Sequence, residues 1–290
     1  MDLCNPKIIR EVMADAGIYF RHELGQNFLI NPEVPQRIAD ECADDENSVI
    51  LEIGPGIGCL TKELAKRYRK VVAIEIDTGL IPVLSKTLSE YSNVKVINSD
   101  IMKLNLSKIM TNEAENHNVS VCANLPYYIT TPILMHLLEC GYKFKSVTVM
   151  VQSEVAARLC ADAGSRDYGA ITASVAYYGR ARKMFTVPAG NFIPAPKVNS
   201  TVVRIDIYDK PIDEPKDEQF MFGLLRAAFD MRRKTLVNAV SHRYPRYTKE
   251  IIANALVSMG KGETVRGECL SIRDYMVLSD ILISQKDTTQ

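Results

Sequence analysis

The sequence predicts an α/β fold, in which a doubly wound parallel sheet is followed by a small all-helical C-terminal domain. Short apolar segments alternate with segments whose apolar residues recur at helical spacing, a pattern typical of strand–helix–strand units in a parallel sheet. A Gly-rich turn joins the first strong strand to the next helix. Beyond about residue 218 only helical patterns remain.

The elements are predicted from apolar spacing, in order along the 290-residue chain. Helices are predicted at 3–16 and 33–43. Strands are predicted at 49–53, 71–76, 94–98, 119–123 and 146–151. A helix followed by a strand is predicted within 168–187, and the clean alternation over 201–207 predicts a half-exposed edge strand. Further helices are predicted at 218–229, 231–241, 248–258 and 271–284.

A domain boundary is predicted near residue 208. Residues 206–218 contain six acidic residues against two lysines, together with two prolines, which is typical of a linker. The first domain therefore covers residues 1–208, and a helical domain covers residues 209–290.

Composition excludes several classes of protein. Lys+Arg and Asp+Glu both number 35, so the net charge does not indicate a polyanionic partner. The seven cysteines are scattered without a Cys-x-x-Cys pair, which favours reduced thiols in a cytoplasmic protein and no metal site. No apolar run approaches ~18 residues, and the N-terminus lacks a signal pattern, so we expect no membrane contact.

The Gly-rich turn has Gly54, Gly56 and Gly58 at every second position. Glycine lets the backbone turn sharply and approach a ligand closely. This spacing is typical of enzymes that use S-adenosylmethionine (SAM). A dinucleotide site, as in a dehydrogenase, would need a small residue where Cys59 stands. Glu75 ends the next strand, about 20 residues further on, where an acid can bind both ribose hydroxyls.

Polar residues end the other predicted strands as well. Ligands of a parallel sheet bind at the carboxyl ends of its strands, and the Glu52–Gly58 turn, Glu75, Asp100 and Asn124 all fall there. Asp100 is a candidate acceptor for the adenine amino group of the cofactor. Its alternative interpretation, a helix cap, remains open.

The segment from Asn124 to Tyr128 follows the fourth of these strands and reads Asn-Leu-Pro-Tyr-Tyr. An amino group on a base ring is a poor nucleophile because its lone pair is delocalised. The Asn124 side-chain oxygen and the Leu125 carbonyl could accept its two N–H bonds and draw the nitrogen towards tetrahedral geometry, while Pro126 fixes the turn. Tyr127 could stack on a base taken out of its helix. An ordinary turn with core tyrosines is the alternative.

With these motifs the chain resembles the small-subunit ribosomal RNA adenine dimethyltransferases, over roughly residues 20–275. The resemblance rests on Gly25–Leu29, Glu52–Gly58, Glu75–Asp77, Asn124–Tyr128, Val151–Glu154, Phe192–Ser200, Arg232–Leu236 and Arg266–Glu268. It implies a Rossmann-like SAM-methyltransferase sheet. It also implies dimethylation of two adjacent adenosines in the 3′-terminal hairpin of 16S rRNA, within the small subunit or its precursor, by a protein that we expect to be monomeric.

The resemblance also implies roles for individual residues. Spacing alone favours a plain loop at 25–31, whereas the resemblance makes this stretch a lid in which Asn27 and Leu29 contact SAM. The cofactor contacts that it implies elsewhere are Gly54, Gly56, Glu75, Asp100 and Asn124. Phe192 matches an aromatic residue that sandwiches the target base opposite Tyr127.

Positive charge is concentrated in residues 226–249, termed here the basic segment, which holds seven Lys and Arg against one Asp. A solvated helix face is the ordinary interpretation of a charge run, but this imbalance favours a phosphate-contacting surface. The candidate RNA contacts are Lys197, Arg226, Arg232, Arg233 and Lys234.

Two further alternatives stay open. A large-subunit rRNA adenine methyltransferase of the macrolide-resistance type would share the fold and the chemistry, although residues 192–200 and 266–268 fit the small-subunit group better. A non-catalytic RNA-binding assembly or transcription factor on this fold is disfavoured by the intact Asn124–Tyr127 segment.

Overall fold

The computed structural model describes residues 1–18, 26–210 and 213–286. The chain divides into two compact units, one comprising Met1–Ala156 with Ala181–Ile207, the other Ala157–Arg180 with Tyr208–Gln290. The predicted division at 208 assigned residues 157–180 to the first domain, and the structure differs there. Tyr168, Ala173 and Tyr177 belong to the apolar cluster of the C-terminal helices, which is why this segment groups with them.

The helices and strands, in chain order, are α1 (Pro6–Asp15), β1 (Phe28–Leu29), α2 (Glu33–Asp40), β2 (Val49–Ile53), α3 (Cys59–Arg67), β3 (Lys70–Glu75), α4 (Leu80–Thr87), β4 (Val94–Asn98), α5 (Leu106–Ala114), β5 (Val119–Asn124), α6 (Thr130–Glu139), β6 (Ser146–Gln152), α7 (Ser153–Leu159), α8 (Ala170–Tyr178), β7 (Gly179–Val187), β8 (Phe192–Ile193), β9 (Ser200–Ile207), α9 (Glu218–Asp230), α10 (Leu236–Arg243), α11 (Lys249–Ser258) and α12 (Ile272–Lys286). None of the helices in the described parts of the chain is long and apolar enough to span a bilayer.

The main sheet has seven strands in the order β4-β3-β2-β5-β6-β9-β7. Strands β2 to β6 pair in parallel, as the alternating pattern predicted, whereas β9 pairs antiparallel to β6. The prediction of a half-exposed edge strand at 201–207 is wrong, because β9 lies between β6 and β7 and is mostly buried. Arg204 is one of the polar residues that made this strand look half-exposed in the sequence. In the structure its guanidinium is buried and pairs with Asp44 and Asp206.

Both faces of the sheet are covered, so its central strands read as continuous apolar runs. Helices α2 and α3 pack on one face, where residues such as Ile38 and Leu64 join Ile50 of β2 in one apolar cluster. Leu51 points to the opposite face and is also fully buried. A second cluster joins α1 to α4 and to the cleft described below, through Ile9, Val12, Phe28, Ile57 and Leu80.

The second unit is built from α8 to α12 around its own apolar cluster. Ser271 and Asp274 form the expected cap of α12, with the Asp274 carboxylate accepting from the Ser271 backbone N–H at 2.9 Å. Helix α10 begins at Leu236 rather than at 231, because the Thr235 side chain caps it. Gly267 is required by close packing, since a Cβ there would overlap the Ala228 side chain.

Candidate active site

A cleft of about 890 Å³, including its open mouth, lies in the first unit at the carboxyl ends of β2, β3 and β5. Topology explains its position, because β2 pairs with both β3 and β5 in parallel and the three strands therefore end side by side. The predicted site residues that line it are Asn27, Leu29, Gly54, Gly56, Glu75, Asn124, Leu125 and Tyr127.

The turn after β2 forms the floor of the cleft. Gly54 and Gly56 have φ angles of 69° and 61°, in the left-handed region that side chains with a Cβ rarely adopt. A Cβ on Gly56 would stand 3.2 Å from the Phe28 ring, so the turn also packs closely against β1. The glycine spacing in the sequence therefore corresponds to a backbone conformation that brings main-chain atoms to the cleft surface.

Glu75 ends β3 beside this turn and is only 4% exposed. Its two carboxylate oxygens accept from the backbone N–H groups of Gly56, at 3.2 Å, and Asp77, at 2.8 Å. Burial raises the pKa of Glu75, and these backbone hydrogen bonds act against that rise. Since each carboxylate oxygen has two acceptor sites, Glu75 retains capacity for the hydroxyls of a ligand.

Asn124 ends β5 on the opposite side of the β2 turn. Its Nδ2 donates to the Asn27 carbonyl at 3.3 Å, which connects the predicted catalytic segment to the predicted lid stretch. Leu125 is almost fully buried, and its N–H donates to the Met150 carbonyl on β6. Since the amide nitrogen of Asn124 faces Asn27, its side-chain oxygen can accept from a substrate amine.

Tyr127 lines the cleft and is held at its hydroxyl, which shares a 2.7 Å hydrogen bond with the Ser200 hydroxyl of β9. Burial raises the pKa of Tyr127, so the phenol stays neutral at physiological pH. Its neighbour Tyr128 is 62% exposed and also lines the cleft. The pair therefore presents one anchored ring and one exposed ring.

Residues 26–29 form one edge of the cleft. Strand β1 pairs antiparallel with β8, which places Leu29 opposite Phe192, and Ile30 N–H donates to the Asn191 carbonyl. Gln26 Nε2 donates to an Asp77 carboxylate oxygen at 3.2 Å. Gly25, the first residue of the predicted lid stretch, lies outside the described residues.

Two predicted site residues do not line the cleft. Phe192 is 3% exposed and packs with Leu29 in the apolar cluster beneath α2 and α3, so its ring offers no free face for stacking. Asp100 follows β4, and its carboxylate accepts from the Met102 N–H as the cap of a 3₁₀ turn at Ile101–Lys103. The capping interpretation of Asp100 is therefore the one that the structure displays.

Sequence reasoning gave no individual role to two further residues of the cleft, Glu52 and Ile76. Glu52, inside β2, is fully buried, and its Oε2 has no hydrogen-bond partner among the residues that the structure describes. Burial raises the pKa of Glu52 to about 8. A carboxylate in an otherwise apolar strand before a Gly turn was the available signal. Ile76, an exposed apolar residue directly after Glu75, also lines the cleft.

The predicted RNA contacts are all exposed, Lys197 in the first unit and the others in the second. Arg232, however, donates to Glu268 at 2.6 Å and to the Arg166 carbonyl at 2.8 Å. Across the described ranges, Arg233 and Lys234 have no ion-pair partner. The structure thus separates Arg232, which joins two parts of its own unit, from its two neighbours.

No cluster of three or more His, Cys, Asp or Glu within the described part of the chain is arranged to hold a metal ion. The polar groups that converge on the cleft are instead single carboxylates, side-chain amides and backbone groups. This set matches hydroxyl and amine groups of a ligand by hydrogen bonding.

A family model described as ribosomal RNA adenine dimethylase matches residues 17–271 of the chain. A protein of Shouchella clausii (strain KSM-K16) named ribosomal RNA small subunit methyltransferase A is 45% identical over 285 residues, covering 98% of this chain and 96% of the relative. A protein of the same name from Alkaliphilus oremlandii (strain OhILAs) is 44% identical, covering 97% and 98%.

Two solved structures are similar over most of the chain. A dimethyladenosine transferase from Plasmodium falciparum has a TM-score of 0.73 and 26% identity, covering 90% of this chain and 98% of its own. The 23S rRNA methyltransferase ErmE has a TM-score of 0.68 and 25% identity, covering 89% of this chain and all of its own.

Proposed function

The chain belongs to the family of ribosomal RNA adenine dimethylases, and from that premise we propose that it dimethylates N6 of two adjacent adenosines in the 3′-terminal hairpin of 16S rRNA. It is an rRNA adenine dimethyltransferase with a Rossmann-like methyltransferase sheet. The observation that carries the site assignment is the convergence of Glu75, the Gly54–Gly56 turn and Asn124 on one cleft.

The choice of the small subunit rests on the relatives that carry its name at 42–45% identity over nearly the whole chain. The large-subunit alternative is not favoured, because relatives at this level of identity carry the small-subunit name. The precursor of the subunit as target, a monomeric enzyme and a cytoplasmic location remain parts of the proposal.

The donor side of the cleft fits SAM, which supplies the methyl group when it is bound. Glu75 has acceptor capacity beside the glycine turn, where a ribose with two hydroxyls would lie. Apolar side chains of Leu29, Ile57 and Leu80 line the same cleft and can cover the uncharged parts of the ligand. The buried Glu52 adds a second acid to this side.

The acceptor side fits an exocyclic amine. The Asn124 side-chain oxygen and the Leu125 carbonyl accept the two N–H bonds of the adenine amino group, which draws the nitrogen lone pair out of conjugation with the ring. No strong base is needed, because the alkylated nitrogen carries a positive charge and loses its proton to water. After the first methyl transfer one N–H remains, and a single acceptor still suffices to orient it.

Tyr127 is proposed to stack on the extruded base, with its hydroxyl fixed by Ser200 so that the ring keeps one orientation. The partner role predicted for Phe192 requires its ring to leave the apolar cluster beside Leu29. The pairing of β1 with β8 links the two stretches, so any such exposure would involve the lid stretch as well.

The basic segment is proposed to contact rRNA phosphates through Arg226, Arg233 and Lys234, with Lys197 of the first unit as a further contact. These side chains are exposed, as a surface that binds a polyanion must be. The sugar–phosphate backbone carries no sequence information, so base choice is assigned to the cleft and affinity to these residues.

Transfer from labelled SAM is the experiment that tests this proposal. Unmethylated small subunits, large subunits, naked 16S rRNA and naked 23S rRNA are each offered to the purified protein, and the product nucleosides are identified by mass spectrometry. We expect N6,N6-dimethyladenosine at two adjacent positions near the 3′ end of 16S rRNA. Incorporation into 23S rRNA with none into 16S rRNA would overturn the proposal.

A further inference from the structure

Two cysteines far apart in the sequence meet beside the glycine turn. Cys4 Sγ lies 2.8 Å from Cys59 Sγ, and Cys59 is the first residue of α3, directly after Gly58. Both cysteines line a second cavity of about 570 Å³, which lies next to the N-terminal residues. Of its lining residues, only Cys59 also lines the cleft proposed to bind SAM. We propose that Cys4 and Cys59 are a modification site, which a peroxide entering this cavity converts into a reversible disulfide.

The geometry favours this pair over the other cysteines. A covalent S–S bond of about 2.0 Å requires a shift of less than ~1 Å from the observed separation. Cys42 and Cys122 are fully buried and line none of the cavities described for this chain, so an oxidant has no comparable route to them. Cys269 is exposed and provides a natural control for simple surface oxidation.

The pKa values of the two thiols are shifted in opposite directions. The hydrogen bond between the two thiols lowers the pKa of Cys4, and the Lys62 ammonium acts in the same direction, whereas burial and the carboxylates of Asp2 and Glu63 oppose this change. The same hydrogen bond raises the pKa of Cys59. Cys4 is therefore the sulfur that becomes a thiolate, which is the form that reacts with peroxides.

The reaction balances with one peroxide. The Cys4 thiolate attacks one oxygen of hydrogen peroxide, the O–O bond breaks, and Cys4 becomes a sulfenic acid while hydroxide leaves. The Cys59 sulfur then attacks the Cys4 sulfur, the S–O bond breaks, and the oxygen leaves as water with the Cys59 proton. Two thiols and one hydrogen peroxide thus give one disulfide and two waters, and a dithiol reductant reverses the change.

The bond would connect the segment before α1 to the helix that follows the glycine turn. The closed loop contains α1 and β1, which pack against each other through Ile9, Val12 and Phe28. Such a loop of about 55 residues restricts the unfolded chain more than the folded one. The oxidised protein should therefore unfold at a higher temperature than the reduced protein.

Controlled oxidation of the full chain tests the proposal. The reduced protein is treated with hydrogen peroxide at about one equivalent, its remaining thiols are alkylated in denaturant, and a non-reducing digest is read by mass spectrometry. We expect free thiols to fall from seven to five and a peptide pair joining Cys4 to Cys59 to appear, both reversed by dithiothreitol. The unfolding midpoint of the oxidised protein should rise by roughly 4–10 °C.

Matched variants complete the design. Cys4→Ser and Cys59→Ser should each abolish the linked peptide and the rise in midpoint, whereas Cys269→Ser should retain both. Absence of the linked peptide from the wild-type digest, while Cys269 is oxidised under the same conditions, would overturn the proposal. The wild-type result alone is decisive, so the test stands even where one serine variant fails to fold.

Discussion

The cleft of the first unit and the basic segment of the second unit hold their charged groups in opposite ways. Glu75 and Glu52 are buried, and Glu75 is fixed by two backbone N–H groups. In the basic segment, Arg233 and Lys234 are exposed, while Arg232 pairs with Glu268. A buried hydrogen-bonded group acts strongly and singly, whereas exposed charges are screened by salt and act together. Single substitutions should therefore matter in the cleft and combined ones in the basic segment.

The largest effect should come from Asn124→Ala. Removing one positioned hydrogen-bonding group from an active site commonly lowers the rate by about 10²–10³-fold, because the group acts on the reacting atoms. Single-turnover transfer of labelled methyl to small subunits measures this, with Asn47→Ala in an exposed turn as the matched control. A loss below about fivefold would mean that the amide does not contact the amine.

Tyr127 and Phe192 form a sharper pair within the first unit. Tyr127→Ala should slow methyl transfer by an amount equivalent to ~1–3 kcal/mol, the stacking free energy of one base on one aromatic ring, and should leave SAM affinity nearly unchanged. Phe192→Ala should instead lower the free energy of unfolding by about 3–5 kcal/mol, because its ring is buried. Transfer kinetics and denaturant unfolding distinguish the two effects.

Phe192→Leu serves as the control for that pair, since it retains most of the buried volume. If Phe192→Leu kept the wild-type stability and lost as much transfer as Tyr127→Ala, the Phe192 ring would have to reach the base. The buried position seen here would then describe only one state of β1 and β8.

Glu75 and Asp100 are acids at the ends of two neighbouring strands, and the effects of replacing them on SAM binding can be compared. Glu75→Ala should weaken SAM binding by about tenfold or more, because a hydrogen bond to a charged group contributes ~1.5–3 kcal/mol. Asp100→Asn retains a capping side chain and lies at a more exposed carboxylate, so its effect should be smaller. Calorimetric titration gives both affinities, and equal losses would contradict the difference in burial.

The smallest effects per substituted residue are expected in the basic segment, so two residues are replaced together. Replacing Arg233 and Lys234 together by Gln should flatten the salt dependence of subunit binding by ~0.7–0.9 in log–log slope per lost phosphate contact. Arg232→Gln should change the slope less and lower the unfolding midpoint, because Arg232 bonds Glu268 and the Arg166 carbonyl. An unchanged slope in the double variant would mean that Arg233 and Lys234 do not contact phosphates and that the basic segment is an ordinary solvated surface.

Sequence by itself determined the central strands and the position of the cleft at their carboxyl ends. Val49–Ile53 has the predicted bounds because a continuous apolar run in a strand buried on both faces leaves little ambiguity. The edge strand Val94–Asn98 also has the predicted bounds, although none of its residues is fully buried. Gly54, Gly56, Glu75 and Asn124 meet because parallel strands end at the same edge, and strand ends can be read from a sequence.

Only the tertiary structure decided how residues distant in sequence pair. The alternation over β9 predicted an edge strand, but alternation reports which side chains are polar and not whether a distant Asp44 neutralises a buried Arg204. Phe192 was assigned to the cleft, yet its pairing with Leu29 across 163 residues of chain turns the ring into the core. The approach of Cys4 to Cys59 likewise depends on how α1 packs. Local spacing carries no information about such contacts, because they arise when the whole chain excludes water from its interior.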